Sequence, residues 1–210
     1  MMTRDEIVAM AASQVGYHEK ETNTPTAQLY PFQNSYDGTD NWTKFHNELG
    51  VGQGSPWCGY FAYWVFWSLL GKSKTNTDAF LHGIDSWGAY VSAWRNAFAA
   101  AGAYFEAGTY QPQVGDVVLF ADTGVPYSHV ELVVDTSGWP NYINTIGGNT
   151  KQTSGGSGTE AESAWVARRS RSATATSGFH IIGYCAVDAQ SGTSGSSIIF
   201  RRRRIGTAFG

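Results

Sequence analysis

Apolar and polar positions along this chain change their spacing near the middle. Residues Thr3 to Val15 follow a helical period, with Ile7, Met10, Ala11 and Gln14 on one face. Thr3 is an expected N-cap with Glu6 three residues on, and Gly16 closes the helix. Tyr17 to Asp40 is rich in Asn, Thr, Pro and Gln and has no period, which predicts a long ordered loop. Asn41 to Leu49 predicts a short helix. Trp57 to Leu70 predicts a longer one, with Cys58, Phe61, Ala62, Val65, Phe66 and Leu69 at the i, i+3, i+4, i+7 positions of a buried face. Ser86 to Ala101 predicts another, striped by Tyr90, Val91, Trp94 and Phe98 and stopped by Gly102.

Beyond residue 102 the period becomes extended. Val117 to Phe120, His129 to Asp135, Tyr142 to Ile146, Trp165 to Arg169 and Ile181 to Val187 each predict a strand. Short gaps between the first three favour antiparallel pairing. Helices first and strands afterwards is the order of an α+β domain. Thr150 to Ala161 is a polar loop by composition. Gln190 to Ser197 has linker composition, and Ile198 to Gly210 is a basic-apolar tail carrying Arg201 to Arg204. The expected organisation is therefore one domain over 1–189 and a linker with a tail over 190–210.

Composition narrows the function. The chain has 210 residues, 42% of them hydrophobic and 15% charged, with a formal net charge of −3. That is a folded chain without the basic excess of a nucleic-acid binder. No apolar stretch is long enough to span a bilayer. Asp5 and Glu6 stand where a secretory signal would be basic, so synthesis in the cytoplasm is expected, with action elsewhere after release. Two cysteines cannot make a disulfide framework, and no CxxC or HExxH spacing occurs, so a closed zinc site is not expected. A monomer is expected.

The candidate chemistry lies in three places. Cys58 starts the helix that follows Pro56-Trp57, where unpaired N–H groups and the helix dipole favour a thiolate. Cys185, inside an apolar strand, is expected to be core. His129 begins a strand after a polar turn, so it can reach a cleft from a fixed backbone. His18, His46, His82 and His180 are expected to be solvated or singly hydrogen-bonded. Asn149 follows Gly147-Gly148, and its amide oxygen can accept from Nδ1–H of an imidazole, which aims Nε2 at sulfur. A turn asparagine is the competing reading. Glu131 shares a strand face with His129 and either supports the imidazolium or faces solvent; the sequence leaves both open.

These pieces, in order, resemble the CHAP domain, the cysteine, histidine-dependent amidohydrolase/peptidase group of papain-like cell-wall hydrolases. The matching stretches are residues 12–17 (Ala-Ser-Gln-Val-Gly-Tyr), Pro56-Trp57-Cys58 with Phe61, and 112–118 (Pro-Gln-Val-Gly-Asp-Val-Val). They continue with Ser128-His129-Val130, 145–150 (Thr-Ile-Gly-Gly-Asn-Thr) and Ile182-Gly183-Tyr184. The resemblance implies a papain-like α+β fold, N-terminal helices packed on a C-terminal antiparallel sheet. It implies cleavage of peptidoglycan amide bonds with Cys58 as nucleophile, His129 as base and Asn149 as orienter, and no cofactor. The origin it suggests is a phage or prophage lysin. Gly147 departs from it, because relatives commonly carry Glu there; Glu131 is the candidate replacement. Some relatives bind calcium just before the Cys, but residues 52–55 (Gly-Gln-Gly-Ser) offer no carboxylate, so no metal is expected. Gln53 is a candidate for the oxyanion-hole glutamine of relatives, though five residues from Cys58. A non-catalytic wall-binding module and a thiol acyltransferase are the alternatives. The first draws on Gly147; the absence of a cofactor motif favours hydrolysis over the second.

Overall fold

The structure, a computed structural model, describes residues 2–19, 40–151 and 164–190. Five α-helices come first: α1 (Arg4–Ala12), α2 (Lys44–Leu49), α3 (Cys58–Leu69), α4 (Lys74–Phe80) and α5 (Val91–Ala100). Six strands follow: β1 (Tyr104–Glu106), β2 (Val117–Asp122), β3 (Val125–Asp135), β4 (Tyr142–Thr150), β5 (Trp165–Ser172) and β6 (His180–Cys185). They form one antiparallel sheet in the order β1-β6-β2-β3-β4-β5. The α+β, papain-like expectation of helices packed on a later antiparallel sheet holds.

Side chains on the strands alternate between two apolar layers. Val117, Leu119, Val130, Leu132, Val134 and Ile146 join the helices in the main core. Val118, Phe120, Val133, Ile143, Ile181 and Tyr184 form a second, smaller cluster. Because side chains alternate, His129 and Glu131 fall on the same side of β3 as Val133, away from the main core.

The α1 helix carries the capping box: Thr3 Oγ1 accepts from Glu6 N–H, and Glu6 accepts from Thr3 N–H at 2.7 Å. Arg4 then reaches across the fold. It pairs with buried Asp116 at 2.9 Å and donates to the carbonyls of Val114 and Val187. Gln190 N–H donates to Met2 C=O, and Gln190 C=O accepts from Arg4 N–H. The chain is thus tied back to its start through residue 190. The tail 191–210 and its arginine run lie outside the described residues, as does most of the expected loop over 150–161.

Three elements differ from the periodicity. α4 and β1 were not expected: the α4 sequence Lys-Thr-Asn-Thr-Asp-Ala-Phe is poor in helix formers, and β1 is three residues long. The expected helix over 86–101 is a 3₁₀ turn (Ser86–Gly88) followed by α5. Ser86, Trp87 and Gly88 all have positive φ, which no continuous α-helix accommodates. Tyr90 consequently caps α5 and is 65% exposed, outside the buried stripe it was assigned to.

That turn packs against the head of α3 at Gly59. A Cβ there would stand 2.0 Å from the carbonyl oxygen of Gly88, which also accepts from Trp94 Nε1 at 2.8 Å. The carbonyl is therefore held from two sides and cannot yield. Gly59→Ala is expected to cost about 1–3 kcal/mol or more. This corresponds to a fall in melting temperature of several degrees, readable by calorimetry.

Candidate active site

Cys58 is the first residue of α3 and is buried. Trp57 precedes it, with no side-chain cap on the helix, so the first-turn N–H groups stay available. Trp57 is fixed by stacking on Phe45 and by donating from Nε1 to Glu19 at 2.5 Å. β4 makes room for this corner at Gly148, where a Cβ would lie 2.6 Å from both Phe61 Cβ and the Trp57 ring.

The Cys58 thiol and the His129 ring lie close enough to act on each other's ionisation, and the backbone N–H groups of Val130 and Gly59 act on the sulfur in the same sense. Burial pushes the Cys58 thiol up; the charge and hydrogen bond of His129 and the two N–H groups more than reverse it, leaving the thiol below its ordinary value. Burial lowers His129. The charge and hydrogen bond of Cys58, then those of Glu131, carry it above the ordinary imidazole value. Each partner favours the charged form of the other, which is the electrostatic signature of a thiolate–imidazolium pair.

The far side of the imidazole faces a carboxylate. His129 Nε2 and Glu131 Oε1 are 3.2 Å apart, both side chains buried. This leaves Nδ1 to face the sulfur, the reverse of the ring orientation expected from the sequence. Glu131 also accepts from Thr145 Oγ1 at 2.5 Å and from Arg171, whose Nε lies 2.9 Å from Oε2 and whose Nη2 bonds Oε1. Burial raises the Glu131 carboxyl, but Arg171 and His129 outweigh it and hold the group well below the usual carboxylate range.

Asn149 is buried, with φ of 51°, a left-handed conformation that asparagine tolerates. β3 and β4 pair through Leu132↔Ile146 and Val133↔Thr145. The next step in register sets Gly147 opposite Glu131. At Gly147 a Cβ would lie 2.6 Å from Glu131 Cγ and 2.7 Å from Oε1. The missing side chain at 147 is thus the space in which Glu131 sits.

Gln53 is elsewhere engaged. Its amide pairs with the backbone of Thr43, accepting from N–H at 2.8 Å and donating to C=O at 2.9 Å. His46 is buried between Thr43 Oγ1 (2.9 Å) and Ser55 Oγ (3.2 Å), where burial lowers it to about 4. It is therefore not the solvated or singly bonded side chain expected, and it braces the segment leading to Cys58. Cys185 is fully buried and its thiol is pushed well up by burial. Among the described residues no three His, Cys, Asp or Glu side chains are grouped to hold a metal, and no helix is long and apolar enough to cross a membrane. Arg171 is the site residue that sequence reasoning missed, because the polar run Arg168–Ser172 ended the expected strand at Arg169.

A buried thiol, an imidazole and a carboxylate in line can form and break acyl–sulfur bonds. The chain is similar to a solved structure titled "The crystal structure of Ly7917", at 16% identity and a TM-score of 0.46, over 88% of this chain and 62% of that one. No curated protein matches it. A family model, the CHAP domain, matches residues 50–149, the segment that holds Cys58, His129, Glu131 and Asn149. CHAP domains are in general cysteine, histidine-dependent amidohydrolases or peptidases that act on peptidoglycan. That match supports a CHAP domain over residues 50–149.

Proposed function

We propose that the protein hydrolyses an amide bond in the peptide of bacterial peptidoglycan, with Cys58 as nucleophile and His129 as base and acid. The observation that carries this reading is the buried Cys58–His129 pair, each partner favouring the charged form of the other. Attack by the thiolate on the amide carbon forms a C–S bond and an oxyanion. First-turn N–H groups of α3 are placed to stabilise that charge. The imidazolium gives its proton to the leaving nitrogen as the C–N bond breaks. Neutral His129 then takes a proton from water, whose oxygen displaces sulfur and restores the ion pair.

The orienting part falls to Glu131, which holds Nε2. This carboxylate answers the feature, Gly147, from which a non-catalytic wall-binding reading was drawn. The biological setting proposed is a phage or prophage lysin, made in the cytoplasm and acting on the wall after release or from a virion. A monomer suits that role, and the domain boundary near 189 with a separate tail stays part of the proposal.

The test is mass spectrometry of fragments released from purified walls. New free amino groups within the stem or cross-bridge identify an endopeptidase; stems released with a free N-terminal residue from the glycan identify an amidase. If walls stay uncut while Cys58 reacts normally with an alkylating reagent, the hydrolase reading is lost. Rate against pH is expected to be bell-shaped, rising with the lowered Cys58 and falling with the raised His129. The acid limb should therefore lie below the ordinary thiol range and the alkaline limb above the ordinary imidazole range.

A further inference from the structure

We infer that Arg171 is a positioning residue of this site: its guanidinium grips both oxygens of Glu131 and so fixes the carboxylate that holds His129. The grip is a fork, with Nε on Oε2 and Nη2 on Oε1. Such two-point pairing sets the carboxylate plane as well as its position. Nη2 also reaches Thr150 Oγ1 at 3.3 Å.

Topology makes the arrangement. Ile143 pairs with Arg171 and belongs to the second apolar cluster, so Arg171 shares that side of the sheet with His129, Glu131 and Thr145. The guanidinium lies 5.3 Å from the Phe120 ring centroid and 4.7 Å from that of Phe179. The same two rings stand 6.1 and 6.0 Å from the His129 ring. Cation, carboxylate and imidazole are thus held against one aromatic wall, in a row across β5 and β3 that ends at Cys58.

The groups facing Glu131 are few. His129 comes from its own strand, and Arg171 from β5. Thr145 from β4 is neutral, and Val118, its partner on β2, is apolar. Cys58 on α3 acts through His129. Arg171 is therefore the cation that offsets the burial of Glu131 whatever the state of the Cys58–His129 pair. Without it the carboxyl takes up a proton more readily. A protonated Glu131 no longer supports the imidazolium, and the thiolate is lost with it.

The assignment rests on the proposed roles of Cys58 and His129 but needs no wall substrate to test. The rate of Cys58 alkylation by iodoacetamide is followed against pH in the full-length protein. Arg171→Gln keeps a polar side chain and removes the charge. The acid limb of the alkylation profile is expected to move up by about half a pH unit, less than the effect of a charge lost at contact, because Arg171 touches Glu131 and reaches Cys58 only through His129. Arg171→Lys returns the charge without the fork and should recover part of that shift. In a Glu131→Gln background, Arg171→Gln should move the limb no further.

A role in stability alone would lower the melting temperature of Arg171→Gln and leave its limb on that of the unaltered protein; that result overturns the inference. Should Arg171→Gln not fold, Arg171→Lys decides. A limb displaced upward supports the assignment, and one that coincides with the unaltered protein overturns it. Walls left uncut beside a displaced limb would refute the hydrolase reading and uphold this one.

Discussion

Cys58→Ala is expected to abolish wall hydrolysis, by about ten-thousand-fold or more, while leaving the fold nearly unchanged. The expectation rests on the lack of a substitute. Cys185, the second cysteine, lies on β6 in the main core, with its sulfur 3.7 Å from the Trp94 carbonyl oxygen and its thiol pushed well up by burial. It has neither the exposure nor the ionisation to act. The structural cost of the change is small, because alanine fills most of the space of a cysteine and fits a helix start; about 1 kcal/mol is expected. Circular dichroism should stay the same and the melting curve should shift by a few degrees at most. The site electrostatics should change as well. With the thiolate gone, the largest influence raising His129 is removed, and the imidazole should titrate at lower pH. A variant that lyses walls at the normal rate would show that the nucleophile is elsewhere.

Residue patterns foreshadowed the scaffold better than the wiring. A cysteine between Pro56-Trp57 and an apolar helical run predicted a helix-head thiol, and Cys58 opens α3. His129 at the start of an apolar strand predicted an imidazole on a fixed backbone, and β3 holds it, though β3 begins earlier, at Val125. The third partner was harder to read. The amide acceptor and the Cys, His, Asn order favoured Asn149, which is buried with a positive φ, and Glu131 stands at Nε2. The open question about Glu131, buried partner or solvent-facing charge, turns on a neighbouring strand. The carboxylate has room because Gly147 lies opposite, and Arg171 from β5 is the largest influence offsetting its burial. Strand register and sheet order are tertiary facts, and no local pattern around residue 171 announces them.

Glu131→Ala is expected to be the most damaging single change to stability in this site. It removes a carboxylate that grips a guanidinium only 7% exposed and packed near the rings of Phe120 and Phe179. Breaking a buried ion pair from one side costs about 3–5 kcal/mol, because the remaining charge keeps its burial and loses the carboxylate it grips. For a chain of this size that is a fall in melting temperature of roughly 6–20 °C. Glu131→Gln keeps the shape and an acceptor for Arg171, and is expected to fold with a smaller loss. Its use is the sign of the pH dependence. The folded carboxyl lies well below the usual range, so the unfolded chain binds the proton first as pH falls. The contribution of Glu131 is full above about pH 5 and fades as pH drops past the ordinary glutamate value, about 4.3, toward the folded one. Denaturant unfolding of the unaltered protein should therefore lose stability steadily over that window. Glu131→Gln should be less stable at neutral pH, with a flatter slope below it. Catalysis should fall with it, since an amide beside Nε2 supplies no charge to hold the imidazolium. Equal slopes in the two proteins would mean that folding does not lower the Glu131 carboxyl, and the line of charges from Cys58 to Arg171 would lose its centre.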